Sequence, residues 1–322
     1  MKGMMKPFII ALLLSVIIPG FLFSIYEKNF VMHDNNGSLP TNASDNLEKL
    51  NITVAVLMKD GNVEFMEMDN YLVAVLLREM PARFEFEALK AQAVVARTYL
   101  LRRCEGDSRH INADICTDST CCQAYWDVDA YLSEGGTTEN VDKIRRAVSD
   151  TKDEVLLYNA HLIEATYFAC SGGMTEDAVA VWGRDVPYLR AVESPGEESA
   201  KHYVDTATFT IEEFLQRLGV ESNGKVLDIR EIQYTAGGGL DTIKVCGVTV
   251  KGTDIRKKLG LNSTSMQIDV DGEIVRITTK GKGHRVGMSQ YGADAMAKKG
   301  ADYKEILYHY YNDTEIAKYK VD

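Results

Sequence analysis

The stretch from Phe84 to Arg103 carries Ala88, Leu89, Ala91, Ala93, Val94, Val95 and Ala96, so a helix formed there is apolar nearly all round. Such a helix has no face to offer water and belongs at the centre of a domain, covered on every side. Gln92 and Tyr99 lie on one face of it with Arg97 between them. Buried polar groups need partners, so each of the three is either a structural hydrogen bonder or part of a site.

The elements around this helix follow from local signals. Ile52, Val54 and Val56 alternate with Thr53 and Ala55 as in a strand, and Asp60-Gly61 supplies a turn. A short helix capped by Asp69 or Asn70 has to stop near Met80, because Pro81 disfavours helical geometry in the residue before it. Strands are expected over Ala147 to Tyr158 and His161 to Ala169, about an Asn159-Ala160 turn. Thr210 with Glu213 makes a capping box for a helix ended by Gly219. Val226 to Tyr234 and Ile243 to Val250 flank Gly237 to Gly239 as a hairpin, followed by a short helix, Asp254 to Leu259. Ile268 to Thr279 reads as a further hairpin turning at Asp271-Gly272, and helices over Ser289 to Lys299 and Tyr303 to Tyr311 close the chain. Strands and helices alternate irregularly, so the expected class is α+β. The expectation is one large mixed helix/strand domain over 50–322, with a smaller α/β lobe inserted at about 200–262.

Ahead of that domain, Pro7 to Ile25 is almost continuously apolar, interrupted by Ser15, Pro19, Gly20 and Ser24. At ~1.5 Å rise per residue it reaches about 28 Å, enough for a hydrocarbon core of about 30 Å. Residues 1–28 are therefore expected to be an N-terminal transmembrane anchor; a cleaved signal peptide is the alternative. Lys2 and Lys6 precede the run, which places the bulk of the chain outside the cytoplasm. Residues 29–49, rich in Asn, Asp, Ser and Gly, read as a flexible linker. The net charge of −11 argues against a nucleic-acid partner and is compatible with a largely neutral polymer.

Glu79 is the first candidate for chemistry. Leu72, Val75, Leu76 and Glu79 share one helix face, so the carboxyl group continues an apolar stripe at the last turn. Burial there, together with the negative end of the helix dipole, raises its pKa and suits a general acid; the alternative is an ordinary surface Glu. Gly172, Gly173, Gly283 and Gly287 permit close backbone approach to a ligand. Ser171, Thr175, Ser289 and Gln290 beside them offer hydrogen bonds to a polar ligand, unless these are simply tight turns and caps. Cys104, His110, Cys116, Cys121 and Cys122 cluster in sequence, with Cys170 and Cys246 apart, and both disulfides and a metal site are open readings.

These residues fall into blocks that resemble a known family. Tyr71-Leu72-Val73-Ala74-Val75, Glu79-Met80-Pro81-Ala82 and Glu87 to Tyr99 are similar to the hallmark of stage II sporulation protein D. Ser171 to Thr175 with Trp182-Gly183 and Pro187-Tyr188-Leu189 resembles its middle motif, and Gly283 to Ala293 its C-terminal glycine-rich motif. Arg285 departs from the glycine expected there in many members. The resemblance implies a peptidoglycan lytic transglycosylase acting in forespore engulfment, with Glu79 as catalytic acid/base and no organic cofactor. The sugar's own hydroxymethyl oxygen would attack, so one carboxyl group suffices where ordinary glycosidases need two. Candidate substrate-binding residues are Gln92 and Tyr99 in the first block, Tyr167 ahead of the second, and Ser171, Gly172, Gly173 and Thr175 within it. His284, Met288, Ser289, Gln290 and Tyr291 come from the third. Clostridial-type members carry a His-Cys-Cys zinc set before a segment like Gln123-Ala124-Tyr125; carried over, the zinc ligands are His110, Cys116 and Cys122, with a position left open. Cys121 competes for the third place. The resemblance also implies glycan strands stripped of stem peptides as substrate, the amidase stage II sporulation protein P and protein M as partners, and a location between the mother-cell and forespore membranes. A zinc-dependent hydrolase and a non-catalytic glycan-binding module are the alternatives.

Overall fold

The computed structural model describes residues 52–221 and 226–320. The expected membrane anchor (1–28) and linker (29–49) lie outside the described residues. Among the described residues no helix is long and apolar enough to cross a membrane.

The chain opens with a hairpin of β1 (Thr53–Leu57) and β2 (Val63–Glu67), and β3 (Ile115–Cys116) adds to β1 in parallel. Helix α1 (Met68–Glu79) follows β2 without a break. The expected cap at Asp69 or Asn70 is absent: the helix begins at Met68, and the Met68 amide is satisfied by the Ile52 carbonyl at 2.8 Å. The sheet ladder does the work of a capping side chain. Helix α2 (Phe86–Arg102) is buried along most of its length, as its all-round apolar sequence requires. It packs against α1, α4 (Thr138–Asp150), β4 (Glu154–Tyr158), α8 (Gln290–Lys298) and α9 (Tyr303–Tyr310). Its alanines let these neighbours approach closely. A short helix α3 (Val128–Ser133) precedes α4.

Two expectations fail around α4. Ala147 to Asp150 are helical, not part of a strand; Val141, Ile144 and Val148 are spaced to bury one helix face. Thr137 caps the helix, accepting from the Asn140 amide. The expected strand from His161 to Ala169 divides into β5 (His161–Leu162), which joins β4 and β16 (Glu315–Lys318), and β6 (Tyr167–Phe168), which pairs in parallel with β15 (Met288–Ser289). Gly287 makes that second pairing possible: it has φ +82°, and a Cβ there would strike the Thr166 carbonyl, which accepts from Met288 N at 3.1 Å. Between them, β7 (Gly173–Met174) pairs with β8 (Glu193–Ser194), with α5 (Ala178–Trp182) in the connection.

A second apolar cluster is built by β9 (Val204–Thr210), α6 (Ile211–Leu218), β10 (Ile229–Tyr234), β11 (Leu240–Val245), β12 (Val248–Lys251), α7 (Gly252–Leu259), β13 (Met266–Asp271) and β14 (Ile274–Lys280). The Thr210–Glu213 capping box and the left-handed Gly219 are as expected. The expected strand Ile243 to Val250 is broken by a turn at Cys246-Gly247, both with positive φ. The β13–β14 hairpin, expected outside the 200–262 stretch, belongs to this cluster: β14 pairs with β9 from Ile274↔Thr210 to Lys280↔Val204, and Val275 and Ile277 are fully buried in it.

Arg97 is the polar element that the centre depends on. Fully buried, it donates to the carbonyls of Thr151 (2.7 Å), Val148 (3.0 Å) and Glu154 (3.2 Å), tying the end of α4 and the start of β4 to α2. Arg97→Ala removes three bonds from a charged donor, although the Thr151 carbonyl keeps the Glu154 amide at 3.0 Å and the Val148 carbonyl keeps the Thr151 hydroxyl at 3.3 Å. At ~1.5 kcal/mol for each bond from a charged donor, a loss of roughly 4–5 kcal/mol in urea unfolding is expected. Arg97→Lys, which has no planar fork to span the three carbonyls, should fall between.

Candidate active site and metal-ligand cluster

The end of α1 delivers Glu79 to the meeting point of two cavities. The larger, about 1000 Å³, is lined by Tyr99, Arg103, Cys121, Cys122, Gln123, Tyr167, Trp182, His284 and Gln290 among others. The smaller, about 390 Å³, shares Glu79, Ala169, Lys282 and Gln290 with it. The Glu79 Oε1 accepts from the Ala124 amide at 2.8 Å, and the Tyr167 hydroxyl and the Gln290 side chain, beside the carboxyl group, favour its charged form. Burial raises the Glu79 pKa above the ordinary carboxylate value, and these donors and Arg78 offset part of that rise. Of the other acids on the larger cavity, Asp107 and Glu164 are engaged by Arg103 at 2.8 and 2.7 Å. Glu79 is thus the carboxyl group of the cavity with no arginine bound to it among the described residues.

A relay of buried polar groups backs it. The Tyr71 hydroxyl donates to Gln123 Oε1 and Gln123 Nε2 donates to the Tyr167 hydroxyl, each at 3.3 Å. Gln290 Nε2 donates to Gln92 Oε1 at 3.5 Å, while Gln92 Nε2 is buried without a partner. Gln92 therefore stands behind the site, and Tyr99 lines it beneath the Arg103 guanidinium, 4.5 Å from its ring. His284 sits between Phe168 and Trp182. Its Nδ1 accepts from Val286 N at 3.1 Å, and burial holds its pKa down at about 4, so the ring is neutral at physiological pH. Met288 is fully buried opposite Tyr167 in the β15–β6 pair. Ser289 caps α8, accepting from Gly292 N, and Tyr291 lines the smaller cavity edge-on to Phe84.

The middle block is built around a buried acid that the sequence does not single out. Glu197, fully buried, accepts from the Ser171 amide (2.7 Å), the Ser171 hydroxyl (2.9 Å) and the Gly172 amide (2.9 Å), and its other oxygen accepts from Ser194. Thr175 is buried against Val192, and Gly173 N donates back to Ser171. None of Ser171, Gly172, Gly173 and Thr175 lines either cavity at Glu79. Ser171 and Gly172 donate to Glu197, Gly173 to the Ser171 hydroxyl and Thr175 to backbone carbonyls, so these donors are engaged within the protein.

His110, Cys116, Cys121 and Cys122 come together with their ligand atoms all within 4.8 Å of one another, and the cysteines are free. His110 Nε2 lies 3.5 Å from Cys122 Sγ and 3.8 Å from Cys121 Sγ, and the two sulfurs are 3.8 Å apart. Cys121, expected as a competitor for one place, is thus a fourth donor beside the other three. Without a cation, burial and the neighbouring thiols push the Cys122 pKa up to about 12. The cluster is one residue away from the Gln123 and Ala124 contacts to the Glu79 site. Gln123 itself was not distinguished as a site residue by its sequence; only its place after the cysteine pair marks it.

The family model described as stage II sporulation protein matches residues 59–158. Stage II sporulation protein D of Bacillus subtilis (strain 168) is 39% identical over 260 residues, covering 80% of this chain and 76% of that protein. Its counterpart in Bacillus amyloliquefaciens is 36% identical over 297 residues, 91% of this chain and 85% of that protein. An amidase enhancer of Bacillus subtilis (strain 168) is 28% identical over 302 residues, 77% of this chain and 40% of that protein. The chain is therefore a sporulation protein. In particular, it belongs to the stage II sporulation protein D family, as its three motif blocks imply.

The raised pKa of Glu79 has a consequence for stability. The folded protein holds this proton at pH values where the unfolded chain has released it, so the associated stability is present below the unfolded pKa and is lost as pH rises through the folded value. At neutral pH the part-buried carboxylate is a cost. Glu79→Gln, which keeps an oxygen for the Ala124 amide, should unfold at a temperature no lower than the parent at pH 7, by calorimetry.

Proposed function

We propose that this protein cleaves peptidoglycan glycan strands as a lytic transglycosylase, with Glu79 as the single acid/base. The observation that carries the reading is one raised-pKa carboxyl group at the junction of two cavities, with the other cavity acids engaged by arginine. Protonated Glu79 gives its proton to the glycosidic oxygen as the bond to the muramyl C1 breaks. The C6 hydroxyl oxygen of the same muramyl ring bonds to C1, and its proton returns to Glu79. The products are a 1,6-anhydromuramyl end and a free C4 hydroxyl, with no water consumed. Tyr167, Gln290 and the Ala124 amide hold the carboxylate that forms midway; Tyr99 and His284, on the cavity wall, are placed to bind sugar. The N-terminal apolar run would tether the domain on the outer side of a membrane, between mother cell and forespore. Stem-peptide-stripped strands would be supplied by an amidase, stage II sporulation protein P, with protein M as a further partner. A relative named as an amidase enhancer is in keeping with work alongside an amidase.

Zinc fits the cysteine cluster. With metal–sulfur bonds of about 2.3 Å and metal–nitrogen bonds of about 2.0–2.1 Å, a tetrahedron sets sulfur–sulfur edges of about 3.8 Å and sulfur–nitrogen edges of about 3.5 Å. Two of the observed separations, 3.8 Å for Cys121–Cys122 and 3.5 Å for His110–Cys122, fall on these values. His110, Cys116, Cys121 and Cys122 would hold the ion, which would supply charge neutralisation for the thiolates and fix the loop. Four protein donors fill a tetrahedron, so a structural zinc is favoured over the open-position site expected from sequence. Its effect on the chemistry would pass through Gln123 and the Ala124 amide.

Mass spectrometry of peptide-stripped glycan treated with the full chain in detergent should find anhydromuramyl ends. Reducing ends would identify a hydrolase, and unchanged glycan a binding module. Glu79→Gln should lower turnover ~10²–10⁴-fold with retained glycan binding. Turnover should fall as pH rises through the raised Glu79 pKa, where the acid form is lost. Elemental analysis should find one zinc per chain, lost on Cys121→Ser; zinc retained at full stoichiometry in that variant would return the site to three ligands.

A further inference from the structure

The smaller cavity beside Glu79 has a charge unlike that of the whole chain. Against a net charge of −11, it is lined by Arg78, Lys201 and Lys282, with His202 beside them, and Glu79 is its one carboxyl group. None of the three cations forms a salt bridge with a carboxylate among the described residues. Arg78 instead lies over the Trp126 ring, 5.2 Å from its centroid, which keeps its charge at the cavity rim. Lys282 is set in place by its backbone, paired in both directions with Cys170 at 2.7 and 3.2 Å. Unpaired cations converging on a cavity in an acidic protein mark a place for an anion.

The anion follows from the cavity's position, given the reading that Glu79 cuts at muramic acid. The muramyl ring whose C1 reacts carries its lactyl ether on C3 of the same ring, so the lactyl end lies one sugar ring from Glu79. In a strand that keeps its stem peptides this end is an amide. In a stripped strand it is a free carboxylate. We propose that the smaller cavity is a lactyl-carboxylate subsite in which Lys201 and Lys282, with Arg78, select muramic acid residues that have lost their peptide. The preference for stripped glycan is then an attraction to the exposed charge, beyond any exclusion of bulk.

The test is calorimetric binding to the full-length Glu79→Gln protein, which cannot consume its ligand. Two synthetic tetrasaccharides of the glycan are compared: one with free lactyl carboxylates, the other with each carboxylate converted to its methylamide. The free acid should bind about three- to tenfold more tightly at low salt, the range expected for a pair of exposed charge contacts. That margin should shrink toward one as ionic strength is raised. Adding Arg78→Gln, Lys201→Gln and Lys282→Gln should abolish the margin, so that the free acid and the methylamide bind alike. Equal binding of the two ligands by the parent, or a margin that survives the three replacements, overturns the subsite and leaves the glycan reading intact. Binding of neither ligand overturns the glycan reading itself and this subsite with it.

Discussion

Helix α2 carries alanine, valine and leucine around its circumference, so water has to be excluded from all of its faces. The elements that exclude it are α1, α4, α8, α9 and β4, drawn from opposite ends of the described chain. This burial places the site: α1 ends at Glu79, α8 begins at Gln290, and both helices lie against α2. The two side chains meet because the helices that bear them cover the same rod. Gln92, on α2 itself, completes the contact from behind by accepting from Gln290. Arg97 and Thr98 on the same helix are consumed in holding α4 and β4, by bonds to carbonyls and from the Leu156 amide.

The carboxyl group is under two opposed influences. Burial and the end of a helix favour its protonated form, while the Ala124 amide, Tyr167 and Gln290 favour its anion. In the proposed reaction Glu79 gives a proton and takes one back, and such a balance serves that role, since neither state is strongly trapped. Two of the three stabilising contacts run through a single loop: Ala124 directly, and Tyr167 through Gln123. That loop starts at the Cys121-Cys122 pair. Whatever fixes the cysteine cluster fixes the acid.

The middle block acts as a joint, while the C-terminal block also contributes Gly283, His284 and Gln290 to the larger cavity. Glu197 gathers the Ser171 and Gly172 amides inside the protein. Arg285, at φ +67°, donates to the carbonyls of Ser171, Met174 and Gly237, and lies 3.7 Å from Glu176. A non-glycine residue in this backbone region costs roughly 1–2 kcal/mol. Three charge-assisted bonds in a buried setting outweigh that, which accounts for an arginine where the family motif leads one to expect glycine. Those bonds link the middle block, the C-terminal block and the turn between β10 and β11.

The sequence alone determined the features that depend on neighbours in the chain. The Thr210–Glu213 capping box, the Gly219 stop, the Asp271-Gly272 hairpin and the burial of Phe86–Arg102 are all set by spacing within a few turns or strands, and the structure has them. The raised pKa of Glu79 from burial was legible because its apolar stripe and Pro81 lie within one helical turn or two. The errors share the opposite cause. Met68 starts a helix because Ile52 accepts its amide, β14 joins the second cluster because β9 lies alongside it, and Ser171 faces inward because Glu197 lies beneath it. Each partner is remote in the chain or unmarked by any motif. Cys121 becomes a fourth donor only when its loop brings it to His110. Local periodicity records which face a residue is on, but the partner across that face is chosen by long-range packing, and it was packing that decided which polar groups were left for chemistry.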